Sequence, residues 1–115
     1  MPPGDPPALD DPVALARALV RIDSVTPDNG EAIDRVAAWL GELDAHVWHV
    51  EEPGSRVPNL VARLGHGSPR LAFAGHTDVV PTGDPGLWAR PPFGGEIADG
   101  KLFGRGACDM KGGLA

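Results

Sequence analysis

The chain has 115 residues, of which 42% are hydrophobic and 23% charged, as is ordinary for one small globular domain. Its formal net charge of −6 argues against a nucleic-acid or anionic-membrane partner, and its single cysteine, Cys108, excludes an intrachain disulfide framework. There is no basic, apolar start typical of a signal peptide and no apolar run of about 18 residues. We therefore expect a cytoplasmic protein that does not enter the membrane.

The N-terminal half predicts two helices. Residues 1–11 are rich in proline, and we expect a loose tail there. Asp11 followed by Pro12 is typical of a helix start, and Leu15, Leu19 and Ile22 then recur at helical spacing. This predicts a helix over 12–22. Apolar residues at the same spacing predict a second helix over 30–44, with Asp28 and Glu31 as a capping box.

The spacing of apolar residues changes from helical to strand-like near residue 45. We expect strands at 45–51, 59–64 and 70–75 that share one sheet, on which the two helices pack. The short apolar run 71–74 is typical of a strand buried on both faces. Residues 96–103, with Asp99-Gly100 at the centre, predict a hairpin with a type I′ turn. The expected fold class is α/β. The last residues resemble the first turn of an uncapped element, so we expect the sequence to be truncated.

The first chemical motif is Gly75-His76-Thr77-Asp78, which follows the run 71–74 directly. In extended backbone, residues two apart point to the same side, so His76 and Asp78 should project together while Thr77 points away. One of the two can bind a metal ion while the other orients the surrounding groups. A histidine that is simply hydrogen-bonded to a nearby carboxylate in a turn would give the same pattern.

The second motif surrounds Asp109, which lies in a segment with four glycines, Gly104-Arg105-Gly106-Ala107-Cys108-Asp109-Met110-Lys111-Gly112-Gly113. Glycines permit tight backbone paths that can hold one carboxylate in a crowded site. A flexible loop with a surface aspartate fits equally well. Together with the first motif, however, this segment supplies one imidazole and two carboxylates, which is a donor mixture that suits zinc. The nearby basic residues could meet an anionic substrate, but we expect each to be solvated: Arg90, Lys101, Arg105 and Lys111.

These segments resemble a known family. The resemblance includes Ala74-Gly75-His76-Thr77-Asp78, Val79-Val80-Pro81-Thr82-Gly83-Asp84, Trp88, Pro91-Pro92-Phe93, Asp99-Gly100-Lys101-Leu102 and the segment from Gly104 to Gly112, in order and with compatible spacing. The chain from about residue 12 is similar to the zinc-dependent aminoacylase, carboxypeptidase and desuccinylase family. The resemblance implies that residues 12–115 are the N-terminal part of a zinc-peptidase-like catalytic domain, with a central sheet flanked by helices. The rest of that domain and a lid and dimerisation domain would be absent.

The resemblance also implies roles for three residues. His76 would bind the first of two zinc ions, and Asp109 would bridge both, with Co²⁺ able to substitute. Asp78 would be a catalytic carboxylate behind the ligands, and the peptide bond between Asp109 and Met110 would be cis. The general-base glutamate and the remaining ligands would lie beyond Ala115.

The implied activity is hydrolysis of a linear amide in a small-molecule substrate by a homodimer. The segments Val79–Asp84 and Pro91–Phe93 most resemble the desuccinylases, which implies release of succinate from N-succinyl-LL-2,6-diaminopimelate in lysine and diaminopimelate biosynthesis. Two alternatives within the family are acetylornithine deacetylase and a metal carboxypeptidase. An alternative of another class is a truncated fragment without catalytic activity.

Overall fold

The computed structural model describes residues 6–115. Residues 1–5 of the predicted tail lie outside the described residues, while 6–8 are irregular and 9–10 form a turn. The described elements are, in chain order, helix α1 (Pro12–Val20), helix α2 (Gly30–Glu42), strands β1 (His46–Val50) and β2 (Asn59–Arg63), a 3-10 turn (Pro85–Leu87), strands β3 (Glu96–Ala98) and β4 (Lys101–Phe103), a π-type turn (Ala107–Lys111) and a short helix α3 (Gly112–Leu114).

Helix α1 begins as its sequence predicts. The Asp11 carboxylate accepts a hydrogen bond from the Ala14 N–H at 2.9 Å, and Pro12 occupies the first turn, where its missing N–H costs nothing. The helix ends at Val20, two residues before the predicted end at 22. Its apolar side, with Leu15, Ala16, Leu19 and Val20, is buried and forms the centre of the small core.

Helix α2 forms where it is predicted but lacks the predicted cap. Asn29 precedes the first turn and makes no side-chain capping hydrogen bond. The Asp28 carboxylate instead pairs with the Arg56 guanidinium at 3.1 Å, so the predicted capping box is wrong. Ala32 and Ile33 are buried, and α2 packs against β1 and β2.

The strands form two separate hairpins. Strands β1 and β2 are antiparallel with Val47 opposite Ala62, and β3 and β4 are antiparallel with Ile97 opposite Leu102. Asp99 and Gly100 have φ values of 51° and 71°, as a type I′ turn requires, so the predicted turn at 99–100 is confirmed. The mixed helix-and-strand composition agrees with the predicted α/β class.

The prediction that 70–75 is a buried strand in a shared central sheet is wrong. Each of the two sheets described within residues 6–115 has two strands, and 71–78 form no regular element. Leu71 is 81% exposed and Phe73 is 90% exposed. A run can be buried on both faces only if neighbours cover it, and the described residues place none there. One of the two predicted helices, α1, packs on the π-type turn and α3 instead of a sheet.

None of the helices formed by residues 6–115 combines the length and the apolar character needed to cross a bilayer.

Candidate metal centre

Along the extended segment that contains His76, successive side chains point alternately toward the interior and toward solvent. Thr77 is only 5% exposed, whereas the His76 side chain faces solvent and Asp78 is half-buried beside it. The Ser24 hydroxyl donates to the Thr77 carbonyl at 2.8 Å, and the Asn29 amide donates to the Thr77 hydroxyl at 3.2 Å. Thr77 therefore ties the segment to the protein interior and leaves His76 and Asp78 on the outer side.

Asp109 lies in the π-type turn. Asp109 and Met110 have non-helical backbone angles inside this turn, and the peptide bond between them is cis, as the resemblance implies. The Lys111 N–H donates to the Gly106 carbonyl at 2.8 Å and closes the turn. The Asp109 side chain is exposed, so its carboxylate is free to meet a group from another segment.

The structure brings all three predicted residues together. His76 Nε2 lies 3.0 Å from Asp109 Oδ1, although the two residues are 33 positions apart. On the other side of the ring, Nδ1 lies 3.0 Å from the Asp78 carbonyl and 3.4 Å from Asp78 Oδ1. The backbone oxygen of Asp78, which the sequence did not indicate, is therefore the nearer partner of the ring.

These contacts determine which nitrogen of the His76 ring is available to bind a metal ion. A carbonyl oxygen only accepts hydrogen bonds, so Nδ1 must carry the proton that it shares with the Asp78 carbonyl. In the neutral ring the lone pair then resides on Nε2, which faces Asp109. When the ring is doubly protonated, both nitrogens can donate to an oxygen. The hydrogen bond to the Asp78 carbonyl accordingly raises the pKa of His76 above 6.5; partial burial opposes this, and the Asp109 carboxylate adds to the increase.

The donors suit zinc, but they provide only part of a shell. Two ligands about 2.0–2.1 Å from a tetrahedral zinc ion are about 3.3 Å apart, which is close to the 3.0 Å between His76 Nε2 and Asp109 Oδ1. An Nδ1–H held by a carbonyl is also the usual arrangement behind a metal-binding histidine. Within residues 6–115, however, no three or more histidine, cysteine, aspartate or glutamate side chains are arranged to hold a metal ion.

Lys111 differs from its prediction as a solvated residue. It is completely buried, and its ammonium donates to the Ile22 carbonyl at 3.0 Å. Burial lowers the pKa of Lys111 from 10.5 to about 8, against a smaller opposing effect of the Asp23 carboxylate. A basic residue in a glycine-rich stretch gives no sequence signal of burial, because the contact is made to a residue 89 positions away.

Of the other basic residues, Lys101 is exposed as predicted, whereas Arg90 and Arg105 pack on aromatic rings. The Arg90 guanidinium pairs with Glu96 and lies over the Phe103 ring. The Arg105 guanidinium lies 4.9 Å from the centre of the Trp88 ring. Ser24 and Asn29, which hold Thr77, were not predicted as site residues. They lie in the stretch between the two predicted helices, where the sequence indicated a loop but no role at the site.

Comparison with known proteins gives relatives along almost the whole chain. Residues 72–115, which include His76, Asp78 and Asp109, match peptidase family M20/M25/M40. The chain is 57% identical to a succinyl-diaminopimelate desuccinylase of Rhodospirillum centenum over 91% of its own length, and 54% identical to one of Rhodospirillum rubrum over 93%. A third, from Gluconacetobacter diazotrophicus, is 53% identical over 95%.

The chain spans about 28–29% of the length of these relatives. The similarity nevertheless extends well beyond the motif residues, since it covers 91–95% of the chain. The chain is therefore similar to named relatives along almost its whole length, and its residues 72–115 match peptidase family M20/M25/M40.

Proposed function

We propose that this chain, within a protein of its relatives' length, contributes to a zinc-dependent amide hydrolase that releases succinate from N-succinyl-LL-2,6-diaminopimelate. One observation carries the proposal: His76 Nε2 and Asp109 Oδ1 meet at 3.0 Å across 33 positions of sequence. The substrate rests on the relatives, which are named as succinyl-diaminopimelate desuccinylases. The products would be succinate and LL-2,6-diaminopimelate, on the route to lysine.

Each of the three residues has a role in this proposal. His76 would hold the first of two zinc ions through Nε2, with its Nδ1–H bonded to the Asp78 carbonyl. Asp109 would help to hold both ions, because a carboxylate has two oxygens and the Asp109 side chain is exposed. Asp78 stabilises positive charge on His76 through its carboxylate, 3.4 Å from Nδ1.

Bound zinc would polarise the amide carbonyl and lower the pKa of a water molecule toward about 7. The residues of this chain fix where that chemistry occurs. Thr77, anchored to Ser24 and Asn29, holds the histidine segment in place, and the exposed side of His76 and Asp109 admits substrate. The glutamate that transfers the proton to the leaving amine is expected outside this chain.

Two other activities of the same family remain as alternatives: acetylornithine deacetylase and metal carboxypeptidase. They share the chemistry of His76 and Asp109 and differ in the acyl group that is removed. An alternative of another class is that the chain is a truncated fragment without catalytic activity. The resemblance further supports a cytoplasmic homodimer with two zinc ions per subunit, which Co²⁺ can replace.

The test is a comparison of substrates with a protein of the relatives' length that contains this chain. We expect zinc-dependent release of succinate from N-succinyl-LL-2,6-diaminopimelate, and little hydrolysis of N-acetyl-L-ornithine or of a dipeptide. The His76→Ala variant and a chelator-treated sample serve as controls. Preferred hydrolysis of either other substrate would assign the corresponding alternative, and full activity of His76→Ala would refute the proposed role of this histidine.

A further inference from the structure

The connection between α1 and α2, residues 21–29, contacts the segment that contains His76. Besides the side-chain bonds from Ser24 and Asn29 to Thr77, the Val79 N–H donates to the Ser24 carbonyl and the Thr26 N–H donates to the Val79 carbonyl, each at 3.0 Å. Four hydrogen bonds therefore join the connection to the residues on either side of Asp78.

The same connection also contacts the turn that contains Asp109. The Lys111 ammonium donates to the Ile22 carbonyl at 3.0 Å, in a location without solvent exposure. Ile22 and Ser24 are two residues apart, so both ligand-bearing segments are attached to one short stretch of backbone. The separation between His76 and Asp109 then depends on both attachments.

The shape of the turn depends on Lys111 in a second way. The Lys111 N–H donates to the Gly106 carbonyl, and a Cβ added at Gly106 would lie 3.3 Å from Lys111 Cδ. The lysine stem thus packs against the Gly106 backbone while its main chain closes the loop that contains Asp109. A movement of the Lys111 side chain would be transmitted directly to this loop.

Burial of a lysine is costly, because its ammonium leaves water. An apolar side chain of similar length would fill the same space without that cost. The presence of a buried lysine here is therefore explained by a directional contact of its ammonium, which an apolar side chain cannot make. That contact is the hydrogen bond to Ile22.

We propose that Lys111 is a positioning residue: its hydrogen bond to the Ile22 carbonyl holds the turn 106–111 where the Asp109 carboxylate meets His76. This inference rests on the proposed function for the importance of the pair, but the pair itself exists without metal. Residues behind metal ligands typically change metal affinity about 10–100-fold when they are replaced.

The direct test is nitrogen-15 NMR of the His76 ring in the metal-free 115-residue chain at fixed pH. Lys111→Met removes the ammonium and keeps the length of the side chain, while Lys101→Met removes an exposed lysine on β4 as the matched control. Asp109→Asn supplies the reference spectrum for a lost carboxylate. We expect the Nε2 signal of Lys111→Met to shift toward that of Asp109→Asn, and the signal of Lys101→Met to stay at the wild-type position.

Amide hydrogen exchange of the same samples separates positioning from general stability. We expect faster exchange in the turn 106–111 of Lys111→Met and unchanged protection in β1 and β2. A wild-type His76 signal in Lys111→Met, or loss of protection throughout the chain, would overturn the proposal. In the second case Lys111 would support the whole fold and not this turn.

A zinc titration distinguishes this inference from the proposed function. If wild type binds zinc more tightly than His76→Ala, we expect Lys111→Met to bind it about 10–100-fold more weakly than wild type; an unchanged affinity would contradict the positioning role. If wild type and His76→Ala bind equally poorly, the proposed metal role of this chain fails, while the His76 spectrum still decides the role of Lys111.

Discussion

At the scale of single residues, the two nitrogens of the His76 ring have different partners. Nε2 faces Asp109, and Nδ1 faces the backbone carbonyl of Asp78 more closely than its carboxylate. A substitution at Asp78 therefore leaves the nearer partner of Nδ1 in place. Loss of the ring itself removes Nε2, the nitrogen that faces Asp109.

We predict that His76→Ala abolishes measurable zinc binding by the chain, whereas Asp78→Asn weakens it by less than about tenfold. The reason is that Asp78→Asn keeps the carbonyl that fixes the tautomer of His76. Isothermal titration with zinc measures both affinities. Equal losses in the two variants would show that the Asp78 carboxylate, and not its carbonyl, orients the ring.

Lys111 gives a prediction about pH. Because burial lowers its pKa from 10.5 to about 8, the unfolded chain binds more protons than the folded chain between these values. The free energy of unfolding should therefore rise as pH increases from 8 to 10.5, by at most about 3 kcal/mol, since one pKa unit corresponds to about 1.4 kcal/mol. Conversely, this stability is lost as pH falls toward 8.

Urea unfolding at several pH values measures this rise. The chain contains no tyrosine, and Lys101 is its one other lysine, so few side chains interfere in this range. Lys111→Met should show a flatter dependence than wild type, and Lys101→Met should behave like wild type. A decrease in stability of the wild-type chain above pH 8 would contradict the predicted sign.

At the scale of elements, Gly104 and Gly100 allow a matched comparison. Both have positive φ, 155° and 71°, but an added Cβ at Gly104 would collide with Val20 and lie 2.8 Å from the Pro92 carbonyl, while Gly100 has open space. We predict that Gly100→Ala destabilises the chain by about 1 kcal/mol through backbone strain alone. Gly104→Ala should cost about 1–3 kcal/mol more because it also overpacks the core at Val20.

Thermal unfolding of the two variants checks this difference. The far-ultraviolet spectrum at low temperature is the control, because both variants should retain the helices. If Gly104→Ala proves no less stable than Gly100→Ala, the approach of Gly104 to Val20 is not as close as the structure indicates.

The elements that the sequence predicted correctly are those set by local contacts. Helix α1 follows from Asp11, Pro12 and an apolar stripe, and the β3–β4 hairpin follows from Asp99-Gly100, whose backbone angles are those of a type I′ turn. The pairing of His76 with Asp109 was predictable because the family resemblance links the two motifs. Neither motif alone indicates that the other is near.

The predictions that failed depend on contacts between distant segments. An apolar run such as 71–74 reports that it prefers burial, but not which neighbour is available to bury it, and the described residues supply none. The burial of Lys111 was missed for a similar reason, since its partner, Ile22, is far away in sequence. Asp28 was assigned to a helix cap because a competing cation, Arg56, could not be located from the sequence.

At the scale of the whole molecule, Leu71 and Phe73 place large apolar side chains in solvent along extended backbone. Such a segment can pair with another chain, because its apolar side chains and its backbone groups are both accessible. We predict concentration-dependent association of the 115-residue chain that Phe73→Asp reduces. Sedimentation velocity at several concentrations measures it.

The control for this prediction is Leu87→Asp. Leu87 is 85% exposed, similar to Phe73, but it lies in the 3-10 turn and not in extended backbone. It should leave association nearly unchanged. If the two variants reduce association equally, exposed apolar area is responsible and strand pairing is not.

The catalytic prediction also belongs to the whole molecule. We expect the isolated 115-residue chain to release no measurable succinate from N-succinyl-LL-2,6-diaminopimelate, even with added zinc. His76 and Asp109 are too few ligands for two ions, and loss of a general base alone typically costs about 10²–10⁴ in rate. Any zinc that binds should exchange readily with a chelator.

A succinate assay of the purified chain, with a chelator-treated sample as control, tests this expectation. Robust turnover that depends on zinc would show that the chain is catalytically self-sufficient. It would also require a proton-transferring group among its own residues that the family resemblance does not indicate.

The sequence separations within the site bear on the order of folding. Helices and hairpins close over a few residues, whereas the contacts of the site close loops of 33 residues (His76 to Asp109), 53 (Ser24 to Thr77) and 89 (Ile22 to Lys111). Longer loops cost more chain entropy to close, so these contacts are expected to form after the local elements. A zinc ion that joins His76 to Asp109 would therefore stabilise contacts that form late in folding. We expect it to slow unfolding more than it speeds folding.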